Sequence, residues 1–123
     1  MIMLGLYYQF TIYNANMKTF TLGDSKEQVE KMLPEKQIKV VQLGQMKVCV
    51  VRISDKFYVF ETNCPHRMAN LSQGWVNKQS EVICPLHEYR FDLSTGQVRS
   101  GDCGDLKVFK ADITEKGLKI SLP

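Results

Sequence analysis

The stretch ICPLHEYRFD, residues 83–92, places a cysteine, a proline and a histidine within four positions and follows them with aromatic and charged residues. A Cys and a His this close are either a metal-ligand pair or two unrelated residues of a buried strand. A second such pair decides between the two. It lies upstream, in NCPHRM at residues 63–68. The chain contains only two histidines, and each stands two or three residues from a cysteine. They form Cys64-x-His66 and Cys84-x-x-His87, with 17 residues between His66 and Cys84. Two matched pairs in a chain so poor in both residue types argue for one shared site. Pro65 and Pro85 follow the two cysteines. Each fixes φ and removes an amide donor, which stiffens the turn that presents the ligand.

Two Cys and two His suit a zinc tetrahedron, but structural zinc sites usually draw both thiolates from one knuckle and both imidazoles from another. Here each loop supplies one of each. That mixed arrangement suits a two-iron cluster with both thiolates on one iron and both imidazoles on the other. Neutral imidazoles donate less charge than thiolates, so the second iron is the easier to reduce. A structural zinc module serving protein interaction is the competing reading.

Around the two loops the chain reads as strands. IKVVQL and MKVCVVRI are rich in β-branched residues and flank Gly44, and KFYVFET follows the turn signal Ser54-Asp55. WVNKQSEVI reads as a hairpin with a polar tip at Asn77 to Ser80, and YRFDLSTGQVRSG as another turning at Ser94-Thr95-Gly96. Two alternating runs around Glu115-Lys116-Gly117 finish the chain. Only GDSKEQVEKMLP predicts a helix: Asp24 or Ser25 caps it, Val29, Met32 and Leu33 recur at helical spacing, and Pro34 closes it. The expected fold is all-β and antiparallel with one short N-terminal helix.

The 123 residues predict one domain, and their apolar and charged fractions are ordinary for a globular protein. A net charge of +3 without a basic block does not point to nucleic acid. The opening MIMLGLYYQFTIY has no charged n-region and no small-residue cleavage site, and it is too short to span a bilayer. Since MKTFTLGD at 17–24 reads like an ordinary beginning, residues 1–16 read as an extension and 17–123 as the domain. Nothing supports an oxidising compartment, which places the chain in the cytoplasm with Cys49 and Cys103 reduced. Cys49 alternates with strand residues and reads as core, Cys103 as a simple loop residue, with an exposed thiol near the site as the alternative, and Trp75 and Tyr58 as packing residues.

CPHRMANLSQG at 64–74, followed by VICPLHEYRFDLSTGQV at 82–98, resembles the Rieske [2Fe–2S] proteins. Their motif is Cys-x-His and then Cys-x-x-His after a short hairpin. The resemblance covers roughly residues 35–122. It implies a stack of small antiparallel sheets with one [2Fe–2S] cluster at the tip of a hairpin subdomain, here about 62–93. It also implies Cys64 and Cys84 on the inner iron, His66 and His87 on the outer iron, and Leu71 as an apolar shield. Phe91, Asp92 and Gly96 fall where the family commonly has a Phe-Asp pair and a turn glycine.

The departures refine the expectation. High-potential relatives in cytochrome bc complexes bridge the two loops with a disulfide; here the corresponding neighbours are Arg67, Met68, Ala69 and Leu86. Those relatives also carry a serine and a tyrosine that donate hydrogen bonds to the cluster, where this chain has Tyr89 and Phe91. Fewer donors mean a lower potential. The pattern is similar to the soluble, ferredoxin-type branch, with Glu88 where the family usually has glycine. The resemblance therefore implies a monomeric carrier of single electrons between a reductase and an oxygenase or oxidase, with no catalytic residues of its own. A mononuclear iron site would need histidines that are already committed. A non-catalytic small subunit of a larger reductase is the remaining alternative.

Overall fold

The computed structural model describes residues 8–14 and 17–123. Of the extension read at 1–16, residues 1–7, 15 and 16 lie outside the described residues, and Tyr8–Asn14 forms the first strand, β1. Next come β2 (Met17–Leu22), the helix α1 (Lys26–Met32), β3 (Lys39–Leu43), β4 (Met46–Ile53) and β5 (Lys56–Glu61). A 3-10 turn (Leu71–Gln73) precedes four short strands: β6 (Trp75–Val76), β7 (Glu81–Ile83), β8 (Arg90–Asp92) and β9 (Val98–Ser100). The pair β10 (Val108–Thr114) and β11 (Gly117–Leu122) completes the chain.

The strands form a seven-stranded sheet, β1-β2-β11-β10-β5-β4-β3, and a four-stranded sheet, β6-β7-β8-β9. Every pairing is antiparallel. β10 joins the two halves of the larger sheet. Val108 and Phe109 pair with β5, while Lys110 to Thr114 pair with β11. The sheet curls about this strand, so Phe20 and Leu22 of β2 share a core with Val41 and Leu43 of β3.

β4 explains how the two sheets meet. Val48, Cys49, Val50 and Val51 are all fully buried, although side chains alternate across a strand. Val48 and Val50 face the core inside the curl, together with Val29 and Leu33 of the α1 region. Cys49 and Val51 face the other way, into a second core with Phe60, Val82, Phe91, Leu93 and Leu106. The continuous apolar run is the mark of a strand buried on both faces. Each buried valine contributes on the order of 2 kcal/mol. Burial also pushes the Cys49 thiol up to about 12, so it is a packing residue, as expected.

The local signals act through identifiable contacts. Ser25 caps α1, its hydroxyl accepting from the Gln28 amide at 3.1 Å, while Gln28 Oε1 accepts from the Asp24 amide at 2.7 Å. At the hairpin tip after β6, Asn77 Oδ1 accepts from the amides of Gln79 and Glu81. Tyr58 packs against the second core. Trp75 does not pack as expected and is 47% exposed. It lies on β6, an edge strand, and the alternation that turns Val76 inward turns Trp75 outward.

The β8–β9 turn is set by Asp92 and Gly96. Asp92 Oδ1 accepts from the amides of Ser94 and Thr95, and Oδ2 from Arg99 at 3.1 Å. Burial works to raise the Asp92 carboxyl, but Arg99 and the two amides outweigh it and hold the group below its usual range. Gly96 takes φ +81°, and a Cβ there would lie 1.9 Å from the Leu106 carbonyl oxygen. Its own carbonyl accepts from the Leu106 amide at 2.7 Å, pinning the 101–107 loop to the turn.

Gly96→Ala is expected to cost at least about 2 kcal/mol, through left-handed strain and displacement of Leu106, measured by urea denaturation. Asp92→Asn should cost up to about 1 kcal/mol at neutral pH, since the Arg99 pair is partly solvated. The folded value is depressed, so the contribution of Asp92 is complete above the unfolded value of about 4 and is lost as pH falls through the folded value. Denaturation curves of the two proteins should therefore converge in acid.

Candidate metal centre

Two hairpin tips bring the sequence-predicted residues together, and they are built alike. In the first, the Cys64 amide donates to the Ala69 carbonyl at 2.8 Å, and the stem is closed by the Asn63–Asn70 bridge and the Leu71 amide on the Thr62 carbonyl. In the second, the Cys84 amide donates to the Tyr89 carbonyl at 2.8 Å, above the Ile83–Arg90 pair of β7 and β8. Each loop returns through a residue in the left-handed region just before its close, Met68 at φ 56° and Glu88 at φ 55°. Glu88 thus holds the conformation that glycine adopts most readily. His87, at φ 67°, is left-handed as well.

Both cysteine side chains are fully buried in the second core, beside Leu71 and Phe91. Cys84 approaches Cys64 closely enough for a thiol–thiol hydrogen bond. Burial pushes the Cys64 thiol up. The His66 amide opposes this, Cys84 pushes upward again, and the Arg67 amide opposes. The Leu86 amide likewise points at Cys84 Sγ, at 3.4 Å. Apart from the contact between the thiols, the donors to these sulfurs among the described residues are backbone amides. That is an environment suited to thiolates once a cation lies against them.

The imidazoles lie further out. His66 is half-buried and His87 exposed, with ring centroids 5.5 Å apart and planes inclined by 53°. His66 Nδ1 is buried without a hydrogen-bond partner. A buried polar atom left bare costs about 1–3 kcal/mol, so an orphan in this position fits a metal-ligating nitrogen. Among the described residues no three His, Cys, Asp or Glu side chains converge on one ion. Four donors split into an inner sulfur pair and an outer nitrogen pair fit two irons with two ligands each better than one tetrahedral zinc.

Two neighbours were not legible in the sequence. The Tyr89 ring stacks on His66 with centroids 4.0 Å apart and planes inclined by 12°. Cys103, expected as a simple loop residue with an exposed thiol as the alternative, instead packs half-buried against the second core. Burial, Cys64, Asp102 and Asp105 all push its thiol up. Neither contact follows a spacing rule, because each joins segments remote in sequence. Met68 and Leu86, one on each loop, are 70% and 37% exposed. Among the described residues no helix is long and apolar enough to cross a membrane.

Comparisons with known proteins bear on the family and the fold. The ferredoxin CarAc of Metapseudomonas resinovorans is 35% identical over 79 residues, 63% of this chain and 72% of that protein. The ferredoxin component of the alkene monooxygenase system of Xanthobacter autotrophicus is 28% identical over half of each chain. The solved complex of reduced oxygenase and oxidized ferredoxin in carbazole 1,9a-dioxygenase superposes with a TM-score of 0.67 at 27% identity, over 87% of this chain and 94% of that one. The family description Rieske [2Fe-2S] domain matches residues 25–110. With that match over most of its length, the chain belongs to the Rieske [2Fe–2S] family and carries one such cluster.

Proposed function

We propose that Cys64, His66, Cys84 and His87 hold the cluster, in a ferredoxin-type domain at 17–123 whose cluster subdomain spans about 62–93. The cluster supplies one-electron chemistry: it accepts an electron and releases it again. The chain carries that electron from a reductase to an oxygenase and has no substrate site of its own. The observation that carries this reading is the pair of like-built tips. They bury two thiols beneath two imidazoles and leave His66 Nδ1 without a partner. The relatives are named as ferredoxin components of dioxygenase and monooxygenase systems, which supports an oxygenase as the acceptor. A single copy of the chain in a reducing cytoplasm is consistent with Cys49 and Cys103 as free thiols.

Each residue type has a separate task here. Cys64 and Cys84 supply anionic ligands in a site whose apolar walls exclude water, and the amides of His66, Arg67 and Leu86 offset part of their charge. His66 and His87 place neutral ligands toward solvent, the side from which a partner protein arrives. Leu71 and Phe91, both fully buried, close the inner side.

Iron and acid-labile sulfide analysis, with an EPR spectrum of the dithionite-reduced protein, tests the assignment. The wild type should show the Rieske signature. Cys64→Ser, Cys84→Ser and His87→Ala should lose it, whereas Cys49→Ala should keep it at a cost of about 1 kcal/mol in stability. A colourless, zinc-loaded wild type would overturn the reading.

With backbone amides as its sulfur donors, the cluster should titrate near the low end of the Rieske range, about −150 mV, by protein-film voltammetry. Glu88→Gly should leave the cluster in place and stabilise the fold slightly. Relief of left-handed strain, about 1–2 kcal/mol, exceeds the added chain entropy, about 0.5–1 kcal/mol, so a net gain on the order of 0.5 kcal/mol is expected in denaturant titrations.

A further inference from the structure

We propose that Tyr89 is a positioning residue that clamps the imidazole plane of His66, so that the two outer ligands are held unequally. The inference rests on the ligand assignment above. Three observations carry it.

The first is the stack itself. Centroids 4.0 Å apart and an inclination of 12° place the Tyr89 ring flat on His66, closer than most aromatic pairs. The second is what lies behind Tyr89. A Cβ built on Gly101 would stand 2.2 Å from Cδ2, 2.5 Å from Cγ and 2.7 Å from Cε2 of the tyrosine. Two distances that exceed the shortest so little place that point above the ring, not beside its edge. The Gly101 backbone therefore lies on a face of Tyr89. One face has no room for both this backbone and an imidazole at stacking distance, so the two neighbours take opposite faces. Gly101, at φ +140°, is what lets the chain come so near.

The third observation is the contrast between the histidines. His66 Nδ1, the atom read above as the ligand, is buried without a hydrogen-bond partner, and the Tyr89 ring lies flat against this imidazole. His87 is exposed, and its aromatic contact among the described residues is His66 itself, tilted by 53°. Ligating histidines are normally oriented by a hydrogen bond to the far nitrogen, and that orientation tunes the metal. Here the layer Gly101–Tyr89–His66 performs the orienting by contact. It also couples the two ligand loops, since the Tyr89 carbonyl accepts from the Cys84 amide while its ring holds the histidine of the other loop.

Tyr89→Phe, which keeps the stack, Tyr89→Leu, which removes it, and Gly101→Ala, which pushes the ring from behind, separate this role from ordinary packing. In metal-free protein, proton NMR should show the His66 ring protons shifted upfield of those of His87 by the tyrosine ring current. The shift should be retained in Tyr89→Phe, lost in Tyr89→Leu and altered in Gly101→Ala. In cluster-loaded protein at equal iron content, the reduced EPR g values of Tyr89→Phe should match the wild type, and those of Tyr89→Leu and Gly101→Ala should move. If Tyr89→Leu does not fold, Gly101→Ala gives the same test from the opposite face. Superimposable EPR spectra for wild type and a stack-disrupting variant would overturn the clamp while leaving the ligand assignment standing. A wild type without iron and sulfide would overturn the ligand assignment. The NMR shifts would still decide the clamp, and equivalent His66 and His87 shifts would sink it.

Discussion

Two thiols buried side by side and an imidazole nitrogen buried with no partner form an arrangement that does not stabilise itself. Cys64 and Cys84 both lose hydration in the second core, and burial together with the neighbouring Cys84 makes Cys64 harder to ionise. His66 Nδ1 forfeits its hydrogen bond outright. A positive group shared among these atoms resolves all three costs together: it converts the thiols to thiolates, turns the bare nitrogen into a ligand, and gives the surrounding amides an anion to face. Metal binding in such a site is also a stabilising contribution to the fold. The rest of the molecule holds these atoms at the right separation.

That task falls first to β4. A strand buried on both faces has to satisfy two cores at once, and β4 does so by alternation, with Val48 and Val50 on one side and Cys49 and Val51 on the other. The curled sheet is therefore a platform whose outer face continues into the cluster subdomain. Phe60 of β5 and Leu106 of the pinned loop extend the same surface under both cysteines. Rigidity reaches the proposed ligands through packed side chains, while these residues themselves sit on short loops closed by backbone hydrogen bonds.

The two loops solve one geometric problem twice. A tight loop that must bury its first residue and present a later one outward has to reverse direction quickly, and in both cases a left-handed residue achieves the reversal. Met68 and Glu88 are unusual occupants of that region, and each carries strain of about 1–2 kcal/mol. At Glu88 the strain stands beside a ligand, where the hydrogen-bonded stem of β7 and β8 over-determines the backbone.

Several features were fixed by local chemistry and therefore readable in the residues. The four proposed ligands stood out because the only two histidines each accompany a cysteine. Ser25, Asn77 and Gly96 announced a cap and two turns because their side chains, or the lack of one, act on backbone within a few positions. The antiparallel strands followed from β-branched runs between turn signals. Other features depended on chain segments that meet only after folding. Trp75 faces water because β6 is an edge strand, which residue order does not reveal. The two-sided burial of β4 needed the four-stranded sheet on its far face. The layer of Gly101, Tyr89 and His66 brings three loops together, and nothing in the spacing of those residues encodes it. Spacing determined which residues could be ligands; tertiary packing decided how each is held, because orientation is set by neighbours that lie far away along the chain.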